Sequence, residues 1–295
     1  MTQVEMRPSE ITVYGETALH VLTSARPTAE LALGEVELAV GGPAAVVATQ
    51  LARLGHRPRF VGPIGDDLAA RFVRQEMVAA GVDCSDAFAA GRMPRIVARV
   101  DAAGVELAAA VDAPPRWPTR LPQPTSGLAY ITGFPALAGV ARSLAATGRR
   151  LVVDVGFVPL LSRPDELLAH VANLAPVIDV AVISGSGLSP GHRAELADAC
   201  LDGGARGVLT TLSADGVIVT TTSESCWLPG HRVAAVDSLC AGDTFVAGFM
   251  AAQSEGLDLV EAAAYGQAVA AVKVTMFGRL PSRSDVDEFL AERVS

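Results

Sequence analysis

Asp237-Ser238-Leu239-Cys240-Ala241-Gly242-Asp243-Thr244-Phe245 is the stretch that decides how this chain is read. It sets small residues and a carboxylate where an apolar run changes its period. Upstream, His231 to Val236 reads as a β-strand. Downstream, Phe245, Val246, Phe249 and Met250 recur at helical spacing, so Ala241 to Thr244 are expected to open a helix. Backbone N–H groups in a first helical turn lack intrahelical partners and face an anion favourably. The short side chains of Ala241 and Gly242 let a phosphate oxygen approach the main chain. Asp243 beside such an anion is a poor ligand, because like charges repel. It is better suited to taking the proton of a hydroxyl that attacks phosphorus. Small residues also serve close packing, and Asp stabilises many first turns; the run alone does not separate the two readings.

Composition frames what is possible. The chain has 295 residues, 50% hydrophobic and 19% charged, enough apolar content for one large core or two modest ones. A net charge of −9 argues against a general nucleic-acid or anionic-membrane surface. Arg92, Arg95 and Arg99 remain candidates for a local basic pocket. There is no uninterrupted apolar run of about 18 residues and no basic-then-apolar leader, so a cytoplasmic location is expected. Cys84, Cys200, Cys226 and Cys240 and the five histidines show no metal-ligand or disulfide spacing. His56, His170, His192 and His231 read as turn or polar-face residues.

Short β-branched runs alternate with longer alanine-rich amphipathic runs, which predicts βαβ units and an α/β class with a parallel sheet. Expected strands are Ile11 to Tyr14, Arg59 to Val61, Leu128 to Ile131, Leu151 to Val155, Val180 to Ile183, Gly207 to Thr211 and Val217 to Thr220. Glu35 to Val40 and Arg95 to Val111 break the rhythm; the latter reads as a hairpin around Asp101-Ala102-Ala103-Gly104, and together they suggest a small β lid. Proline-rich Ala113 to Pro124 reads as a loop. Asp154 follows an expected strand at its C-terminal end, where open α/β sheets place ligands; it suits an acceptor or metal contact, or a loop cap. No G-x-G-x-x-G follows the first strand, so a dinucleotide fingerprint is missing where it would occur.

Several segments, in order, carry a resemblance. Gly41-Gly42-Pro43-Ala44, Phe60-Val61-Gly62-Pro63-Ile64-Gly65-Asp66-Asp67, Gly81-Val82-Asp83, Thr211-Leu212-Ser213-Ala214-Asp215-Gly216, the opening run, and Lys273-Val274-Thr275 to Gly278 resemble the signatures of the ribokinase-like (PfkB) carbohydrate kinases. The resemblance implies a three-layer αβα sandwich with a mostly parallel central sheet. It implies a single domain over 10–295, with a lid from about 16–40 and 93–112. It implies transfer of the ATP γ-phosphoryl group to a hydroxyl of a sugar or nucleoside. Asp243 would be the base, and Cys240, Ala241 and Gly242 would supply the backbone anion hole. Thr211, Ser213, Asp215, Gly216 and Ser238 would lie near the nucleotide, with Mg²⁺ bridging its phosphates. His20, Gly41, Gly42, Val46, Asp154 and Asp243 would face the acceptor. Asp237 would sit where relatives hold a monovalent cation such as K⁺, and the lid would pair two subunits into a homodimer.

Departures from the pattern cluster at the acceptor and metal sites. Gly15-Glu16-Thr17-Ala18-Leu19-His20 offers His20 where the family carries an aspartate, and Val46 stands for an asparagine. Ser184-Gly185-Ser186-Gly187 replaces N-x-x-E, removing a carboxylate associated with magnesium. Ser213 and Cys240 each replace a glycine. Should position 240 need φ > 0, a cysteine there costs roughly 1 kcal/mol of strain. A helix N-terminus also lowers a thiol's pKa, which would make Cys240 redox-sensitive, although simple packing explains it too. Two functions therefore stand: a kinase with an unusual acceptor, or a catalytically silent nucleotide- or metabolite-binding relative that regulates.

Overall fold

The computed structural model describes residues 11–23, 36–101, 104–111, 121, 127–133, 137–155 and 163–294. Ala102 and Ala103, where a hairpin turn is expected, residues 24–35 of the expected lid, residue 10 at the start of the expected domain, and the proline-rich stretch apart from Leu121 lie outside them.

An eight-stranded sheet runs in the order β14 (Ser225–Leu228), β13 (Val217–Thr220), β12 (Gly207–Thr211), β11 (Val180–Ser184), β10 (Arg150–Asp154), β9 (Leu128–Thr132), β1 (Ile11–Tyr14), β4 (Arg59–Val61). β4, β1, β9, β10, β11 and β12 run parallel, β13 and β14 close one edge antiparallel, and β5 (Pro63–Ile64) and β6 (Phe88–Ala89) form a separate two-stranded ladder. Every strand expected for this sheet is present, to within a residue at each end. These strands are buried on both faces, which is why they read as continuous apolar runs rather than as alternations.

His231 to Val236 corrects the expectation: it is irregular, not a strand. Its residues are largely exposed and find no ladder. The N–H groups of Val236 and Asp237 both donate to the carbonyl of Val274, at 2.7 and 3.1 Å.

Helices cover both faces. α1 (Pro43–Arg53), α2 (Leu68–Ala80), α6 (Ala241–Ser254), α7 (Leu259–Val274) and α8 (Arg283–Val294) pack with Ile11, Val13, Tyr130 and Leu209. α3 (Ala138–Ala145), α4 (Pro164–Leu174) and α5 (Pro190–Asp202) pack with Ala129, Ile131, Val153 and Ile183 on the other side. The starts of these helices follow local rules. Proline opens α1, where a missing N–H costs nothing, and Asp258 caps α7 in a reciprocal box with Glu261. The result is a three-layer αβα sandwich with two apolar cores.

A second, four-stranded sheet has the order β3 (Val36–Gly41), β2 (Ala18–Thr23), β7 (Arg95–Asp101), β8 (Gly104–Val111). Leu22 and Ala98 on it form a separate apolar cluster with Leu239 and Phe277 of the main body. Among the described residues, no helix is long and apolar enough to cross a membrane.

Candidate functional site

The strand order reverses at β1, with β4 on one side and β9 to β12 on the other. The crevice at the C-terminal ends of β1 and β9 is where such sheets bind ligands. Glu16 follows β1 there and accepts a hydrogen bond from Thr132 Oγ1 at 2.9 Å. Burial pushes its carboxyl up to about 7, against the opposing effect of that bond. Tyr130 is wholly buried, with a hydroxyl that has no hydrogen-bond partner. Burial raises its pKa first, and the charges of Asp154, Asp243 and Glu16 add to the rise. The ends of β1 and β10 and the start of α6 thus bring these carboxylates together around one tyrosine. Glu16 stands in this crevice although the sequence reading gave it no role.

Asp243 lies in the first turn of α6, as the helical spacing predicts, and is half-buried. Burial first, and then the neighbouring Asp154 charge, raise its pKa to about 7 against a hydrogen bond from Cys240 that lowers it. A Cβ built on Gly242 meets nothing within 4 Å, so the space above this turn is open. The N–H groups of Gly242 and Asp243 lie too early in the helix to have an intrahelical acceptor.

Cys240 caps the helix at φ 63°, ψ 11°, the left-handed conformation that the glycine replacement anticipates. Its Sγ lies 3.8 Å from Nδ1 of His20. Burial pushes its thiol pKa well up, and the Asp243 charge pushes it further. A thiol so held stays protonated, so the redox-sensitive reading fails: desolvation outweighs the helix N-terminus.

His20 is buried on β2 against Gly41 of β3, where even a Cβ would collide with the imidazole at 2.1 Å. Burial lowers its pKa to about 4, so the ring is neutral. Gly42 caps α1 at φ 84°, and a Cβ there would lie 2.7 Å from the Glu16 carbonyl oxygen. Val46 is fully buried within α1.

Farther along the sheet edge, Thr211 ends β12 and Ser213 to Asp215 form one 3₁₀ turn. Ser213 takes φ 54°, and Gly216, at φ 106°, packs against the Leu228 carbonyl. This glycine has no substitute, since a Cβ would meet that oxygen at 2.0 Å. Ser184, where N-x-x-E was expected, pairs with Thr211 across β11 and β12.

Asp237 is 1% exposed; its carboxylate accepts from Leu239 N and Gly278 N, each at 2.9 Å, and from Lys273 Nζ at 2.8 Å. Ser238 is exposed beside it. Of the arginines proposed for a basic pocket, Arg95 is held by Asp67 at 2.7 Å and Arg92 is exposed. His56 is buried beside Glu255 rather than on a polar face.

The parallel sheet thus carries a carboxylate and an open helix N-terminus at its switch point, beside a second sheet, an arrangement suited to a phosphotransferase acting on an alcohol group. Sequence comparison agrees: the pfkB family of carbohydrate kinases matches residues 9–98 and 141–284. The chain belongs to that family, whose members act on sugars or nucleosides and use ATP with Mg²⁺. It is 27% identical over 301 residues to the ribokinase of Haemophilus influenzae, covering 95% of this chain and 98% of that one.

Among solved structures, it resembles the aminoimidazole riboside kinase of Salmonella enterica complexed with aminoimidazole riboside and an ATP analog. That match has a TM-score of 0.78 at 23% identity over 95% of this chain and 99% of that one. It also resembles a double mutant of Vibrio cholerae fructokinase in fructose, ADP and potassium ion bound form. There the TM-score is 0.76 at 21% identity, over 96% and 98% of the two chains.

Proposed function

We propose that this kinase uses Asp243 as general base and the first turn of α6 as its anion hole. The observation that carries the reading is Asp243 itself: a carboxyl whose pKa is about 7, one residue after Gly242, where the space is open. A base with a pKa near the working pH accepts a proton and is still ionised often enough to act. The acceptor hydroxyl would give its proton to Asp243 as its oxygen bonds to the γ-phosphorus and the bond to the β-phosphate bridging oxygen breaks. The N–H groups of Gly242 and Asp243 would stabilise charge on the moving phosphoryl group. The nucleotide would lie along Thr211, Ser213, Asp215 and Gly216, with Ser238 nearby.

Mg²⁺ suits a site of this kind when held through phosphate oxygens and water, with Asp154 the carboxylate nearest Asp243 in electrostatic effect. It would neutralise phosphate charge. Glu16 and Asp154 would grip acceptor hydroxyls, with Gly41 and Gly42 letting the main chain approach. The neutral His20 and apolar Val46 favour a nucleoside or deoxygenated sugar over a fully hydroxylated hexose. The chain would act as a single domain with the four-stranded sheet as lid. Val36 and Leu38, exposed on its outer strand, support pairing with a second copy of this chain there.

The test is acceptor-dependent ATP consumption across sugars and nucleosides, with Asp243→Asn alongside. Turnover should fall by roughly 10²-fold or more in the variant while nucleotide affinity holds. Equal turnover would remove Asp243 from the chemistry.

A further inference from the structure

Lys273 is the only lysine in a chain that otherwise carries its positive charge on arginine, and it is 2% exposed. Its Nζ lies 2.8 Å from Asp237 Oδ2, 3.2 Å from the Asp237 carbonyl oxygen and 3.3 Å from the Met276 carbonyl oxygen. An ammonium has three donors, and here each has an oxygen acceptor. One carboxylate and two main-chain carbonyls, drawn from two loops, form the oxygen donor set that a hard monovalent cation would take. A guanidinium is planar and bulkier, and does not substitute for a point charge at such a centre.

We propose that the Lys273 ammonium is a built-in replacement for the exchangeable monovalent cation expected at Asp237, and that it makes this kinase independent of potassium. The fit of K⁺ fails on charge and on donors. The single buried carboxylate is already balanced by one positive charge, so a second would meet uncompensated repulsion at close range. The Asp237 and Met276 oxygens are also already engaged. Lys273 acts on the reaction through Asp237, whose other oxygen fixes the Leu239 N–H at 2.9 Å. Leu239 precedes the strained Cys240, so the pair holds the turn that aims the α6 N-terminus. Lys273 is thus a positioning residue. Both Asp237 and Lys273 also line a cavity of about 320 Å³ beside Thr49 and Arg53.

The proposal rests on the kinase reading for its consequence but not for its first measurement, which needs no turnover. Thermal unfolding of the wild-type protein is compared in K⁺, Na⁺ and tetramethylammonium chlorides at equal ionic strength. The melting temperature is expected to be the same in all three, whereas a rise specific to K⁺ overturns the proposal. Wild-type activity should vary less than about twofold across the same salts, and a several-fold stimulation by K⁺ also overturns it.

In Lys273→Ala the cation site is opened: turnover should drop about tenfold to a hundredfold. K⁺ or ammonium should restore a large part of that loss and raise the variant's melting temperature. A folded variant with full activity and no response to K⁺ overturns the positioning role. Should the variant fail to fold, the wild-type salt comparison decides. A protein inert toward every acceptor, with a cation-indifferent melting temperature, would overturn the kinase reading and leave the cation assignment standing.

Discussion

At the scale of single residues, Asp243 and Cys240 form a coupled pair. The folded pKa of Asp243, about 7, lies above its ordinary 3.8, so the folded protein holds a proton that the unfolded chain releases. The sign follows: ionising Asp243 disfavours the fold, progressively between about pH 4 and 7 and fully above. Asp243→Asn should therefore melt higher than wild type by a gap that opens over that range and then stays constant, as calorimetry would show. In the wild type, kcat/KM should rise to a plateau above about pH 7, a limb that the variant lacks.

The Cys240 thiol donates to this carboxylate and lowers its pKa, so Cys240→Gly should move the limb to higher pH. Removing a side chain from a left-handed position should also relieve roughly 1 kcal/mol of strain, visible in urea unfolding. The left-handed geometry was legible, because a cysteine standing for glycine announces it. The fate of the thiol was not, since a helix dipole can be read from sequence and desolvation cannot.

At the scale of elements, the helix beginning at Ala241 was legible from its apolar spacing, while the strand expected before it was not there. His231 to Val236 has strand-like composition, but no neighbouring strand offers a ladder, and tertiary hydrogen bonds to Val274 decide its path. Glu16 shows the opposite failure. It lies two residues beyond β1, at the edge where sheets of this kind bind ligands, yet the family aspartate was matched to His20, which the structure buries against Gly41. The prediction is specific: Glu16→Gln should raise the acceptor KM about tenfold or more and leave the ATP KM nearly unchanged, in steady-state assays with each substrate varied. An equal effect on both would place Glu16 outside the acceptor pocket. Likewise the Asp237–Lys273 pair joins residues distant in sequence, and no periodicity reports such a contact; the solitary lysine was the available signal.

At the scale of the whole molecule, the two sheets meet the first turn of α6 differently. The large sheet fixes Asp154 and Thr211 on strand ends and Glu16 just beyond one, whereas the small sheet touches the body through Leu22 and Ala98 against Leu239 and Phe277. Glu37 of its outer strand also packs on Gly278, where a Cβ would lie 2.5 Å from the Glu37 Cγ. Leu239 and Gly278 are the residues whose N–H groups grip Asp237. An acceptor that draws the small sheet inward would therefore press on the loop before α6, whose first turn is the proposed anion hole. The two ligands should then be thermodynamically linked, each tightening the other's binding by the same factor, about fivefold or more in paired calorimetric titrations with a non-hydrolysable nucleotide. Enlarging Ala98 to Leu at that seam should change the factor while leaving either ligand's solitary affinity nearly as it was. On this reading the seam between the two sheets, remote from the residues proposed to touch sugar or phosphate, would contribute to substrate selection.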